Sequence, residues 1–328
     1  MRRVDHLTME PPRALTGAVN ARAHVSLLAV VVVWAGSFSV IKALLDDGVA
    51  AGDIAILRYA IAAPGFAYVL WRARGLSGLT RGDAARVATA GLLVVVGYHL
   101  FLNVGTRYTT SGIAALVVAL APALTMISAF ALGLDRVTTR RIVGLVVAFA
   151  GVAIVIALGS GRELSLESTK GPLIVLGAPL AFALYNVILK PLLSRYDLLA
   201  LTAASSLVGI VGLAPFARRS TVDAVADATA TEAVLLLYLG VLATFLGYIF
   251  WNLGLKGLGP TRAVTYTYAI SPLAVAFGAI FLDEAVTIWL ALGAILVVGG
   301  IATMQGVQLP RRVASVGPWR SARSPNAS

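Results

Sequence analysis

Cysteine is absent from this sequence of 328 residues, and charged residues are scarce. Without cysteine, the chain can form no disulfide, thiolate nucleophile or cysteine-ligated metal site. Only 12% of the residues are charged, against about 25% in a typical soluble domain. Hydrophobic residues make up 59% of the chain, and the mean hydropathy is +0.89. So little polar surface cannot cover a water-soluble particle, and most of the chain is therefore expected to lie in lipid.

Histidine and acidic residues are also few, which argues against metal sites and enzymes. The three histidines, His6, His24 and His99, are far apart in sequence, and only His6 has carboxylates nearby, from Asp5 and Glu10. All fifteen acidic residues fall in predicted tails, connections or helix ends. We therefore expect no metal, no cofactor and no catalytic site, which leaves an intramembrane enzyme as the weakest alternative.

Basic residues outnumber acidic ones by 26 to 15, giving a formal net charge of +11. In a soluble protein this excess would suggest a nucleic-acid partner. Here the basic residues stand between apolar runs and not in a stripe with stacking aromatics. We therefore expect no nucleic-acid partner and interpret the basic residues as anchors at one face of the membrane.

Long apolar runs dominate the chain. A membrane-spanning helix needs about 20 mostly apolar residues to cross about 30 Å of hydrocarbon, and the sequence contains ten such runs. The predicted spans are His24–Leu45, Ile54–Trp71, Val87–Gly105, Thr110–Leu134, Ile142–Leu158, Pro172–Lys190, Leu198–Phe216, Ala233–Leu255, Thr261–Leu282 and Val286–Gln305. The lipid bilayer is thus an expected partner of the chain.

The distribution of Lys and Arg predicts the orientation of these spans. The two tails and the even-numbered connections hold nineteen basic residues, whereas the odd-numbered connections hold five. The positive-inside rule then places both termini in the cytoplasm of a multi-pass protein of the cell membrane. Residues 1–23 and 306–328 are predicted to be disordered cytoplasmic tails.

The chain repeats itself at an offset of about 150 residues. The matched positions are Gly97-Tyr98 with Gly247-Tyr248, Pro122 with Pro272, Asp135-x-Val137-Thr138 with Glu284-x-Val286-Thr287, and Gly144 and Gly151 with Gly293 and Gly300. Each half holds five spans, an odd number, so the second half must enter the membrane in the opposite direction. The predicted fold is an all-α integral membrane protein with ten transmembrane helices, arranged as two inverted five-helix repeats over residues 24–158 and 171–305.

Several short motifs resemble a known family. They are Trp34-Ala-Gly-Ser-Phe38 with Lys42, Arg58-Tyr59, Pro122, the Asp135 and Glu284 patterns, and the stretch from Leu239 to Trp251. In their joint order they are similar to the EamA-type domain of the drug/metabolite transporter superfamily. The resemblance implies ten helices, cytoplasmic termini and movement of metabolites, often outward. Two departures are Asp135, where the family usually has Glu, and the lack of a counterpart to Arg58 in the second half.

Polar and aromatic residues inside spans need protein partners, which predicts that they face the bundle interior. The substrate-binding candidates are Trp34, Ser37, Phe38, His99, Asn103, Tyr185, Asn186, Tyr248, Trp251, Asn252, Thr265 and Tyr268, with Tyr266 beside them. For each residue the alternative is a hydrogen bond between helices or, for Trp and Tyr, a place in an aromatic belt.

Charged and helix-breaking residues form a second set of candidates. Lys42, Arg58 and Lys190 are candidate gating or charge residues, with snorkelling to the interface as the alternative. Pro122 and Pro272 are candidate hinges, with simple helix bending as the alternative.

Asp135 and Glu284 precede Thr-led helices, so we interpret them as caps or as interfacial partners of Arg.

These features together predict an alternating-access transporter of a small organic metabolite, an amino acid or a related compound. The resemblance favours an exporter. The alternatives are a channel-like facilitator and, in last place, an intramembrane enzyme, and the oligomeric state stays open between monomer and homodimer. Because the charges that enter spans are basic, we expect a cavity of neutral to positive potential, with any proton coupling through His99.

Overall fold

The computed structural model describes residues 13–73, 76–133, 138–161 and 165–306. Within these ranges it contains helices and connections and no strand. Ten helical segments are long and apolar enough to cross a membrane, numbered here spans 1 to 10. They are Ala21–Asp46, Ala51–Arg72, Arg81–Thr106, Ser111–Ala131, Thr139–Leu158, Leu166–Leu192, Leu198–Phe216, Ala230–Leu258, Arg262–Phe281 and Ile288–Gln305. The predicted all-α fold with ten spans is confirmed.

Successive spans run in opposite directions, which defines two ends of the bundle. We call the end with connections one, three, five, seven and nine the odd face. The even face is the end with the other connections, where span 1 begins and span 10 ends. The first helix begins at Arg13, so part of the predicted amino-terminal tail is helical, as its Ala-rich sequence favours. Residues 1–12 and 307–328 of the predicted tails lie outside the described residues. On the odd face, a short helix over Arg219–Ala226 fills connection seven.

Side-chain caps fix where most spans begin. Thr80, Thr110, Thr138 and Thr287 each accept a backbone N–H from the first turn of spans 3, 4, 5 and 10. Such caps satisfy amide groups that have no partner within the helix. The Thr residues at the repeat-related positions 138 and 287 thus have the same role in both halves.

The two repeats interlock through span pairs that occur twice. Each span of the first repeat has its counterpart five spans later. Spans 1 and 8 pack together, and so do their counterparts, spans 6 and 3. Likewise, span 9 packs on span 1, and its counterpart span 4 packs on span 6. Spans 2 and 7, 4 and 9, and 5 and 10 pack directly on their own counterparts. This pairing is the one that a pseudo-two-fold axis between inverted repeats produces, and it leaves the centre of the bundle lined by both halves.

Spans 5 and 10 approach each other most closely at the repeated glycines. A Cβ atom on Gly300 would lie 2.4 Å from the Ala148 nitrogen and 2.6 Å from the Gly144 oxygen. A Cβ atom on Gly151 would lie 2.8 Å from the Gly293 oxygen. The glycines that match in the sequence repeat therefore meet across the axis, where small residues let helix backbones pack tightly.

Spans 4 and 9 are interrupted at matching places. Span 4 consists of helices over Ser111–Val118 and Ala121–Ala131, and span 9 is interrupted between Thr267 and Ile270. Pro122 and Pro272 lie in the first turn of the second segment in each case, where proline is tolerated because its missing N–H is not needed. Interrupted helices are a common feature of carriers.

Spans 3 and 8 contain π-helical segments, over Leu92–Gly97 and Tyr238–Leu246. Both segments end at the Gly-Tyr pair that repeats at an offset of 150. The wider turn of a π-helix changes which carbonyl groups are available to side chains, and such segments are frequent at functional sites. Both segments border the candidate site.

Candidate functional site

An aromatic cluster lies where span 8 meets spans 1 and 2. The Trp34 ring lies 5.8 Å from that of Trp251 and 6.2 Å from that of Tyr248, centroid to centroid. Phe66 of span 2 contacts Tyr248 at 6.1 Å and Phe245 at 5.8 Å. Trp34 is fixed by its Nε1, which donates to the Ala243 carbonyl in the π segment at 3.0 Å. Three predicted site residues, Trp34, Tyr248 and Trp251, are thus brought together by both repeats.

A second line of rings continues this cluster through spans 2, 3 and 6. Tyr59 lies edge-on to His99 at 4.9 Å, and His99 lies 4.9 Å from Tyr98. The Tyr98 ring lies 5.9 Å from the Phe182 ring, centroid to centroid, and the Phe182 ring stacks on that of Tyr185 at 5.7 Å. The His99 Nδ1 lies 2.9 Å from the Val94 carbonyl in the other π segment. Because a carbonyl only accepts, Nδ1 carries the hydrogen.

Arg58 lies beside these rings. It is about two turns into span 2, 7% exposed, and its Nε donates to the Thr244 hydroxyl of span 8. Thr244 in turn donates to the Leu239 carbonyl at 2.8 Å. A charge at the bilayer centre costs about 2.5–3.5 kcal/mol on insertion scales, and Arg58 faces protein and not lipid. Snorkelling of Arg58 to the interface, the alternative reading, is wrong because the side chain is buried against the second repeat.

Several predicted binding residues serve packing between helices. Ser37 donates to the Trp34 carbonyl of its own helix at 2.7 Å, and Phe38 is buried in the main apolar core. Asn103 donates to the Ala51 carbonyl at 3.0 Å, fixing the start of span 2. Tyr268 donates to Gln305 of span 10. For these four the alternative role of packing or interhelical bonding fits the contacts, and they lie outside the aromatic cluster.

We call the two groups of rings, together with Arg58 and Thr244, the centre. The remaining predicted residues lie around it or at the span ends. Asn252 is buried and donates to the Tyr248 carbonyl at 2.9 Å, leaving its Oδ1 without a partner among the described residues. Asn186 is half-buried in span 6. Thr265 lines a cavity of about 370 Å³ between spans 1 and 9. Lys42 forms an ion pair with Asp46 at 2.5 Å, and Lys190 is exposed at the end of span 6.

Six residues of the centre were missing from the sequence-based set: Tyr59, Phe66, Tyr98, Phe182, Thr244 and Phe245. Tyr59 and Thr244 stand in the motifs that resemble the family, beside Arg58 and within the stretch from Leu239 to Trp251. The motifs that resemble the family could therefore have identified Tyr59 and Thr244 as site residues. For Phe66 and Phe182 the sequence gives no sign that separates them from lipid-facing aromatics.

Glu284 fastens the two repeats together on the odd face. Its carboxylate accepts hydrogen bonds from the Ser111 nitrogen at 2.6 Å, the Ser111 hydroxyl at 2.9 Å and the Gly112 nitrogen at 3.1 Å. It therefore caps span 4 of the first repeat and not the helix that follows it, which Thr287 caps. The sequence correctly predicted that Glu284 is a helix cap, but it indicated the following helix instead of span 4. Asp135, the counterpart of Glu284, lies outside the described residues.

The even face is fastened by an ion pair between the repeats. Arg195 of connection six donates to Asp83 at 2.7 Å, and Tyr196 donates to the same carboxylate at 3.2 Å. Partial desolvation and this hydrogen bond raise the pKa of Tyr196. Desolvation also acts to raise the pKa of Asp197, but hydrogen bonds from Lys256 and two backbone N–H groups bring it below its ordinary value. Asp197 thus stays ionised as the cap of span 7.

The corresponding place on the odd face is acidic and open. Asp83 stands three residues after Thr80, the cap of span 3, and Glu232 stands three residues after Thr229, the cap of span 8. There a cavity of about 290 Å³ is lined by five carboxylates, those of Asp47, Asp53, Asp223, Asp227 and Glu232. Connection seven contributes acids that only the fold brings close to connection one. The expectation of neutral to positive potential concerned the central cavity and stays a prediction.

The described residues hold no group of three or more His, Asp or Glu side chains placed to bind a metal ion. The acids of the odd-face cavity thus are not arranged as a metal site. What the centre offers instead is aromatic surface, a few hydroxyls and one guanidinium, a composition suited to a small organic molecule.

Comparison with known proteins gives a consistent result. The sequence profile of the EamA-like transporter family matches residues 21–157 and 169–305. An uncharacterized transporter of Archaeoglobus fulgidus is 32% identical over 248 residues, covering 76% of this chain and 86% of its own. A protein of Streptantibioticus cattleyicolor named as a probable terminal-alkyne amino-acid exporter is 28% identical over 298 residues, 90% of this chain and 97% of its own.

The fold also matches a solved structure. One crystal structure aligns with a TM-score of 0.56 at 21% identity, covering 92% of this chain and 99% of the other. At that identity the match supports the fold alone. The family profile covers each five-span half once, and the named relatives are transporters and not enzymes. The chain therefore belongs to the EamA-like transporter family and is a multi-pass membrane transporter built from two such repeats.

Proposed function

We propose that this transporter exports a small organic metabolite, an amino acid or a related compound, across the cell membrane by alternating access. The observation that carries the proposal is the position of the centre: Trp34, Phe66 and Arg58 of the first repeat meet Thr244, Tyr248 and Trp251 of the second. A site shared by two inverted repeats changes its accessible side when the repeats exchange conformations.

Two further observations support the direction and the substrate class. The excess of basic residues on the even face favours a cytoplasmic location for that face and both termini. The relative from Streptantibioticus cattleyicolor is named as an amino-acid exporter. In this proposal the partners are the metabolite and the lipid bilayer, with no nucleic acid, and a single chain contains the whole site.

Exchange in proteoliposomes tests the proposal. Vesicles with the purified protein are loaded with a mixture of amino acids and small organic acids, and efflux is followed by mass spectrometry with and without the same compounds outside. A carrier predicts saturable efflux of a subset that external substrate accelerates. Flux that stays proportional to concentration and ignores external substrate would indicate a channel. Efflux no faster than from protein-free vesicles would contradict transport of these compounds.

A further inference from the structure

Arg58 differs from every other basic residue in the described spans because it is buried without a counter-ion. No carboxylate of the described residues lies within ion-pair distance of it, and its single hydrogen bond is the one from Nε to Thr244. Lys42, by contrast, is paired with Asp46. Among the described residues, Nη1 and Nη2 of Arg58 make no hydrogen bond, and neither is a fully enclosed atom, so both remain available to a ligand.

Arg58 is buried within the bundle, and the aromatic residues of its own span contact both repeats. Tyr59 contacts His99 of span 3, and Phe66 contacts Tyr248 of span 8. None of these groups carries a negative charge at neutral pH to balance it. A planar fork of two N–H pairs fits a carboxylate in a bidentate arrangement, which a lysine cannot reproduce.

One face of span 8 connects this charge to the aromatic cluster. Thr244, Tyr248 and Trp251 are spaced by four and three residues, so they lie on one side of the helix. Thr244 holds Arg58, and Trp251 and Tyr248 contact Trp34. A ligand with a charged end at Arg58 and an apolar end at Trp34 would lie along this face.

We propose that Arg58 binds the carboxylate of the transported molecule, with Nη1 and Nη2 donating to its two oxygens, while Trp34, Tyr248 and Trp251 enclose its apolar part. The substrate class is then a small monocarboxylate with an apolar side chain, amino acids included. This assignment rests on the proposed transport function and adds the group that selects the substrate.

The experiment compares acids with their amides. Proteoliposomes are loaded with hydrophobic amino acids and small organic acids, each paired with the amide that lacks the charge, and exchange is measured for both members. The wild type is expected to move the acid about tenfold faster than its amide or more, because a hydrogen bond to a charged group is lost. Arg58→Gln should abolish this preference mainly by slowing the acid, and Arg58→Lys should restore part of it.

Arg72→Gln serves as the matched control, since Arg72 is exposed at the end of the same span, and should keep the wild-type ratio. Folding of each variant is checked by gel filtration and by tryptophan fluorescence, which should change on adding acid, but not amide, in the wild type and in Arg72→Gln. A wild type that moves amides as fast as acids, or an Arg58→Gln variant with an unchanged ratio, would overturn the assignment and leave transport standing. Exchange of neither class would instead contradict the proposed function as well.

Discussion

At the scale of residues, a few side chains meet between the repeats and form the proposed site. Trp251→Ala is expected to slow exchange about twofold to tenfold, because it removes the ring that contacts Trp34 at 5.8 Å and aromatic contacts are worth about 0.5–1.5 kcal/mol beyond the area they bury. Trp289, 44% exposed on span 10, gives the control, and Trp289→Ala should leave exchange unchanged. Equal rates for both variants, at equal abundance in the membrane, would exclude Trp251 from the site.

Part of this centre could be predicted from the sequence. Trp34, Tyr248 and Trp251 were predicted because large polar aromatics within spans need protein partners, and the structure does bring them together. Ser37, Asn103 and Tyr268 satisfy the same rule by bonding to backbone or to another helix, and a single sequence cannot distinguish the two outcomes. The pairing of Arg58 with Thr244 joins residues 186 positions apart, which only the packing of the repeats reveals.

At the scale of helices, the contact between spans 5 and 10 makes a sharp prediction. Gly300→Ala should destabilise the protein by about 1–3 kcal/mol, the usual cost of overpacking, because the new methyl group would lie 2.4 Å from the Ala148 nitrogen. The neighbouring Gly299 has open space around it, so Gly299→Ala should be neutral or stabilise the helix by about 1 kcal/mol. Thermal unfolding of both variants in detergent measures the difference, and equal midpoints would contradict the close packing.

We call the three hydrogen bonds from Ser111 and Gly112 to Glu284 the Glu284 clamp. We expect that weakening this clamp opens the space between spans 4 and 9. Glu284→Gln loses the charge behind three hydrogen bonds from Ser111 and Gly112, and each bond to a charged group is worth about 1.5–3 kcal/mol. A cysteine at Ser271, buried against span 4, should then react about tenfold faster with an impermeant maleimide. Glu232 accepts a hydrogen bond from Thr229 in the first turn of the same helix, so the control variant Glu232→Gln should leave that rate unchanged. A Glu284→Gln rate equal to that of wild type would show that the clamp does not close the odd face.

Helix positions were predictable and helix irregularities were not. Apolar runs long enough to span lipid gave all ten spans because hydrocarbon forces every backbone group into a helix. The π segments over Leu92–Gly97 and Tyr238–Leu246 leave no comparable mark on hydropathy. Their shared Gly-Tyr ending was visible in the sequence as a repeat, but its structural meaning came only from the backbone.

At the scale of the whole molecule, the orientation can be tested because the chain has no cysteine. Ser194, exposed in connection six on the even face, and Leu166, 91% exposed on the odd face, are suitable positions for single cysteines. In intact cells an impermeant reagent should label Leu166→Cys and not Ser194→Cys, and permeabilised cells should label both. The opposite pattern would reverse the orientation, and with it the proposed direction of export.

Alternating access requires that the two repeats move together, so that the site opens to one face as it closes to the other. The most direct test measures distances between spin labels at two cysteine pairs, Tyr108 with Val286 on the odd face and Leu132 with Arg262 on the even face, in lipid nanodiscs. All four side chains are exposed in the structure. Introducing Glu284→Gln is predicted to lengthen the odd-face distance and to shorten the even-face distance in the same preparation. An odd-face distance that lengthens while the even-face distance stays fixed would contradict alternating access.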